Sequence, residues 1–199
     1  MLRLVSILLL AVSVMLDPGS SAAAAEKKAE GDKKLSSGEE KFIKDAAMGG
    51  MAEVELGKIA AEKATNSQVK EFGQRMQKDH GKANDELKKL ASDKAVELPK
   101  ELEGKHKSTV ERLSKLAGNE FDREYMRVMV DDHKETVDKF QREAKSGKDA
   151  DVKNFASKSL PTLKEHLALA QTTRQQVRGA KKGTEAAKKA NGGAKKAER

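Results

Sequence analysis

Three of the chain's four histidines directly follow an acid: Asp79-His80, Asp132-His133 and Glu165-His166. Each sits on the apolar face of a long amphipathic stretch. The stripes read Val69, Phe72, Met76, His80, Ala83, Leu87; then Phe121, Met126, Met129, His133, Val137, Phe140; then Val152, Phe155, Leu163, His166, Ala170, Val177. That spacing of threes and fours marks one face of a helix. A fourth stretch, Gly49 to Ala60, puts Glu53 on its own inner line. Imidazole nitrogen and carboxylate oxygen are donors for a first-row transition metal. Glu53, His80, His133 and His166 therefore form a candidate ligand set for one divalent ion, Zn, Fe, Mn or Cu. Asp79, Asp132 and Glu165 are candidates for orienting the rings from the flank. In the competing reading the same residues form a metal-free hydrogen-bond network, with Glu53 accepting from imidazole N–H groups. Met76 and Met129 each precede a His by one turn. A thioether there would tilt the choice to copper, although core filling is the plainer role.

Whether these groups meet depends on the elements that carry them. Charged residues make up 36% of the 199 and aromatics 3%, with no Trp and three Pro. Such a composition favours long helices over sheet. The expected fold is all-α, a ferritin-like up-down-up-down four-helix bundle. Its helices span about 37–65, 67–94, 119–145 and 149–177, with a short crossing helix at about 100–116 between the two hairpins. Ser37 and Glu40 have the spacing of a capping box, and Pro99 can open the short helix. Pro161 should kink the last helix one turn before His166. At 1.5 Å per residue the four inner groups fall at depths of ~24, ~20, ~21 and ~18 Å, within about one helical turn. His106, between Lys105 and Lys107, reads as a solvated surface residue.

The ends of the chain read differently. Residues 1–25 have the pattern of a secretory signal peptide: Arg3, an apolar run from Leu4 to Leu16, and a small-residue segment ending at Ala25. The apolar run is too short for an ordinary spanning helix, which needs ~20 residues, so no transmembrane helix is expected after cleavage. Residues 26–36 are a polar linker. Residues 179–199 hold 7 basic and 2 acidic residues, against 28 and 26 in residues 37–178. The core is near neutral, which argues against specific nucleic-acid binding. The basic tail is expected to be disordered, and anionic envelope components are its candidate contacts. The absence of Cys excludes disulfides, thiolate ligands and a lipidated Cys anchor.

Four segments together resemble a known family: FIKDAAMGGMAEVELGKIA (Phe42–Ala60), VKEFGQRMQKDHGKANDELKKLA (Val69–Ala91), EFDREYMRVMVDDHKETVDKFQREAKSG (Glu120–Gly147) and LPTLKEHLALAQ (Leu160–Gln171). Their order and spacing are similar to those of the exported bacterial domain-of-unknown-function family 4142. The resemblance implies a ferritin-like four-helix bundle behind a signal peptide, and no established activity. Di-iron members of the ferritin-like fold carry Glu-x-x-His on two helices. Here the residues three before His80, His133 and His166 are Gln77, Val130 and Leu163, which argues against a ferritin-type di-iron centre. No Ser-His-Asp constellation, phosphate loop or nucleotide motif is present. The leading functional expectation is an exported, periplasmic or envelope, helical-bundle protein with a non-catalytic binding or stress-associated role. The first alternative is a metal-binding or metal-dependent redox protein with a buried site of three His and one Glu. The second is an envelope interaction module that uses the basic tail.

Overall fold

A computed structural model describes residues 34–197, with side chains as far as Gly179. The expected signal peptide and residues 26–33 of the linker lie outside the described residues. Five α-helices and no strand occur among the described residues: α1 (Ser37–Lys63), α2 (Ser67–Asp93), α3 (Gly104–Ser114), α4 (Gly118–Ser146) and α5 (Ala150–Ala197). None is long and apolar enough to cross a membrane. Helices α1 and α2 pack as one hairpin and α4 and α5 as another, while α3 lies on α1 and α4.

Hydrogen bonds at the two ends fix the helix directions. At one end Asp122, near the start of α4, accepts from the backbone N–H groups of Thr65 and Asn66 between α1 and α2, at 3.1 and 2.9 Å. At the other end Glu39, in the first turn of α1, accepts from Lys148 N–H and Asp149 N–H beyond α4, at 2.7 and 2.6 Å. Lys94, after α2, reaches Asp149 at 2.7 Å. So α2 and α4 run the same way, and the segment containing α3 returns the chain from one end to the other. The order is up-down-down-up, which corrects the expected alternation. The 24 residues from Lys94 to Ala117 can span the ~40 Å length of the bundle, whereas a tight turn would have forced alternation.

The start of α1 is also corrected, by one residue. The N-cap is Ser36, with Glu39 completing the capping box, in place of Ser37 and Glu40. The tertiary bonds of Glu39 explain the choice, because its carboxylate serves the cap and the α4–α5 turn together. Pro99 does not open the short helix. Helix α3 begins only at Gly104, whose φ of +52° suits glycine. Helix α5 spans Ala150–Ala197. Ala and Lys are strong helix formers, and Pro161 lies inside the helix without ending it.

Two glycines allow the α1–α2 pair to approach closely. A Cβ on Gly57 would lie 2.6 Å from Gly73 O, and one on Gly73 would lie 2.8 Å from Gly57 O. Two apolar clusters fill the bundle. One contains Leu56, Val69, Phe72, Met76, Phe121, Tyr125 and Met129; the other contains Ile43, Leu87, Phe140, Val152, Phe155 and Leu163. The histidines belong to neither cluster.

Candidate metal centre

Helices α2, α4 and α5 each deliver one imidazole to the middle of the bundle. One ring nitrogen from each of His80, His133 and His166 lies within 4.8 Å of the others. Ring centroids are separated by 5.7 Å (His80–His133), 5.3 Å (His80–His166) and 5.5 Å (His133–His166). No other set of three or more His or acid groups converges in this way among the described residues. Reversing α4 and α5 moves the expected depths by only about one helical turn, because His133 lies near the centre of α4 and His166 lies 16 residues from Ala150 at the start of α5.

Each ring presents a buried nitrogen with no partner. Nδ1 of His133 lies 2.9 Å from Met129 O, one turn back on α4. A carbonyl can only accept, so Nδ1 carries the proton and Nε2 keeps its lone pair; Nε2 is buried without a partner. Nε2 of His166 lies 2.9 Å from Asp79 Oδ2. That pairing leaves Nδ1, which is also buried and unpartnered. His80 Nε2 completes the set. Burial, then the neighbouring His133 and His166, lowers the pKa of His80 to about 3. Burial, then His166, lowers that of His133 to about 4. Burial lowers that of His166 too, against the opposing pull of Asp79. All three are therefore neutral at neutral pH, the protonation state that can bind a metal.

The preceding acids behave differently from one another. Asp79 serves His166 on another helix, not its neighbour His80. Arg75, one turn earlier on α2, holds Asp79 through Nε at 3.2 Å and reaches Glu165 through Nη2 at 2.7 Å. A carboxylate behind a ligating imidazole fixes the tautomer and raises basicity. Arg75 was not among the residues expected at the site, although its i,i+4 spacing from Asp79 is visible in the sequence. Glu165 is exposed and pairs only with Arg75 among the described residues. Asp132 lies beside Glu53, and burial followed by the Asp132 charge pushes the Glu53 carboxyl well above its usual range.

Glu53 stands outside the histidine triangle. Its Oε1 lies 3.6 Å from His133 Nδ1, the nitrogen already committed to Met129 O, and its Oε2 has no partner. The hydroxyl of Tyr125, the only tyrosine, is buried nearby without a partner. His106 is half-buried, which corrects its expected solvation. It lines a void of about 60 Å³ with Glu53 and Asp132, because α3 folds down over this part of α1 and α4. A cleft of about 1580 Å³, which Glu53, His106 and Asp132 also line, reaches all three rings.

The donor set fits a metal ion. Metal–nitrogen bonds of ~2.0–2.1 Å in a tetrahedral site put nitrogens ~3.4 Å apart. Ring rotations that draw the three nitrogens together by ~1.4 Å or less close the set, from the separations of up to 4.8 Å now present.

The family model for a domain of unknown function, DUF4142, matches residues 24–173. No curated protein matches the sequence. Two solved structures are similar. A DUF305 fragment from Deinococcus radiodurans has a TM-score of 0.64 and 12% identity, covering 72% of this chain and 99% of its own. A DUF305 protein from Streptomyces coelicolor, for which secretion is suggested, has a TM-score of 0.60 and 13% identity, covering 70% and 92%. At these identities the likeness speaks for the helical-bundle fold alone.

Proposed function

The chain belongs to the DUF4142 family, whose description assigns no activity, and from the site itself we propose that it is an exported metal-binding bundle. One divalent first-row ion binds through His80, His133 and His166. Asp79 and Arg75 orient His166, and Glu53 lies behind His133 instead of ligating. The observation that carries this reading is the convergence of one ring nitrogen from each histidine to within 4.8 Å, on rings that each keep a buried nitrogen without a partner. In a metal-free network each would be expected to meet a donor or acceptor, since burying an unpaired polar group costs about 1–3 kcal/mol. Three neutral imidazoles without thiolate or inner carboxylate suit Zn²⁺ or Cu²⁺ better than Mn²⁺, which prefers oxygen ligands. Export is supported by the signal-peptide pattern of residues 1–25 and by the similar protein for which secretion is suggested.

The test is metal titration of chelator-treated protein, read by native mass spectrometry. One Zn²⁺ or Cu²⁺ per chain is expected, with binding lost in His133→Ala and His166→Ala. Asp79→Asn should weaken affinity about 10–100-fold by removing the group that orients His166. Binding at unchanged affinity in the histidine variants would refute the assignment.

A further inference from the structure

Zinc sites that only stabilise a fold are closed by four protein ligands, whereas reactive sites leave one position free. Here three protein donors converge, one fewer than a closed site needs. Three nitrogens converge, the chain has no Cys, and Glu53 sits beyond His133, on the side of Nδ1. The two sides of the triangle also differ. Phe72, Met76, Tyr125 and Met129 are fully buried and belong to one apolar cluster, with the Phe72 ring centroid 6.3 Å from that of His133. The cleft of about 1580 Å³ reaches the three rings, and Glu53, Asp132, Ala83, Asn84, Phe140 and Leu163 are among its walls. His80 is half-buried as a residue, while its Nε2 is itself buried.

Charge selects the class of ligand. Three neutral imidazoles leave a divalent ion's charge uncompensated, in a setting where charges are weakly screened. Asp79 is already shared between His166 and Arg75. We propose that the ion held by His80, His133 and His166 keeps one coordination position open to the cleft and takes there a small exogenous anion through a single nitrogen or oxygen donor. The inference rests on the metal-binding reading and goes beyond it, because it makes the site one that exchanges a ligand.

Azide is a suitable probe, applied to full-length protein loaded with one equivalent of Co²⁺. The visible d–d bands are followed during titration, with sodium perchlorate at equal ionic strength as control. A saturable shift of the bands with azide alone, and cobalt still bound at one per chain, is the expected result. One bound cobalt whose spectrum azide leaves unmoved overturns the open position while the metal reading stands. Azide that strips the cobalt without a saturable intermediate spectrum overturns it as well. Failure to bind cobalt, or cobalt binding unchanged in His133→Ala, overturns both proposals.

Discussion

Glu53→Gln isolates how the buried histidines make stability depend on pH. His80 and His133 ionise near 6.5 in the unfolded chain but at about 3 and about 4 in the fold. Between those values the unfolded chain binds the extra protons, so stability rises with pH. At pH 5, 1.5 units below the unfolded value, each histidine costs about 2 kcal/mol relative to pH 7.5, at ~1.4 kcal/mol per unit. The figure barely depends on how far below 5 the folded values lie. Together they cost about 4 kcal/mol, against a typical domain stability of about 5–15 kcal/mol, and His166 adds in the same direction. Glu53 opposes them. Its folded pKa is raised by burial and Asp132, so its contribution is full below the unfolded 4.5 and is lost as pH rises. Glu143, raised by burial and Glu39, opposes weakly in wild type and variant alike. Gln is an uncharged isostere of the protonated acid, so Glu53→Gln removes the larger opposing contribution. Urea unfolding in chelator at pH 5 and 7.5 should show a gain approaching 4 kcal/mol for the variant and a smaller one for wild type. A variant that gains under about 1 kcal/mol, or a wild type steeper than the variant, would refute the picture of three histidines buried neutral beside a buried acid.

Gly73→Ala should lower stability by up to about 2 kcal/mol, because overpacking of about 1–3 kcal/mol against Ala60 and Gly57 O offsets or outweighs a helix-propensity gain of about 1 kcal/mol. Gly81→Ala, in the same helix with nothing within 4 Å of the new Cβ, should raise it by about 1 kcal/mol; equal effects in urea titrations would contradict the close α1–α2 approach. Ala95 ends α2 at φ +53°, with Val96 N–H on Ala91 O at 2.8 Å and Ala95 N–H on Ser92 O at 3.1 Å, the Schellman arrangement that glycine favours. Ala95→Gly should therefore raise the melting temperature, by an amount corresponding to about 1 kcal/mol. For Glu39, burial raises the pKa but bonds from Ser36, Asp149 and Lys148 outweigh it, leaving the value at about 2. Its contribution is present above pH 4.5 and is lost as pH falls towards 2. Glu39→Gln should cost about 3 kcal/mol at pH 7 and flatten the acid limb of stability, which circular dichroism against pH can follow.

The sequence exposed the histidine layer because burial forces a pattern. A His on an otherwise apolar 3-and-4 stripe has to face inward, and helix rise converts position into depth. The same arithmetic carries no direction. His133 lies at the centre of α4, so reading that helix upside down cost nothing, whereas a ligand near either end would have been displaced by most of a helix length. Side-chain partners were less legible for a related reason. Asp79 was expected to orient a ring from the flank, with no particular ring assigned; neighbours in a helix point about 100° apart, and Asp79 meets His166 across the interface with α5. Glu53 shares the histidines' depth yet misses their triangle, because depth fixes one coordinate and the azimuth around α1 fixes another. Of the four inner groups, the three from α2, α4 and α5 converge, while the Glu53 carboxylate of α1 lies nearest Nδ1 of His133, at 3.6 Å. The outcome is a converging set of three nitrogens, a property that no single helix stripe encodes and that only the packing of three helices produces.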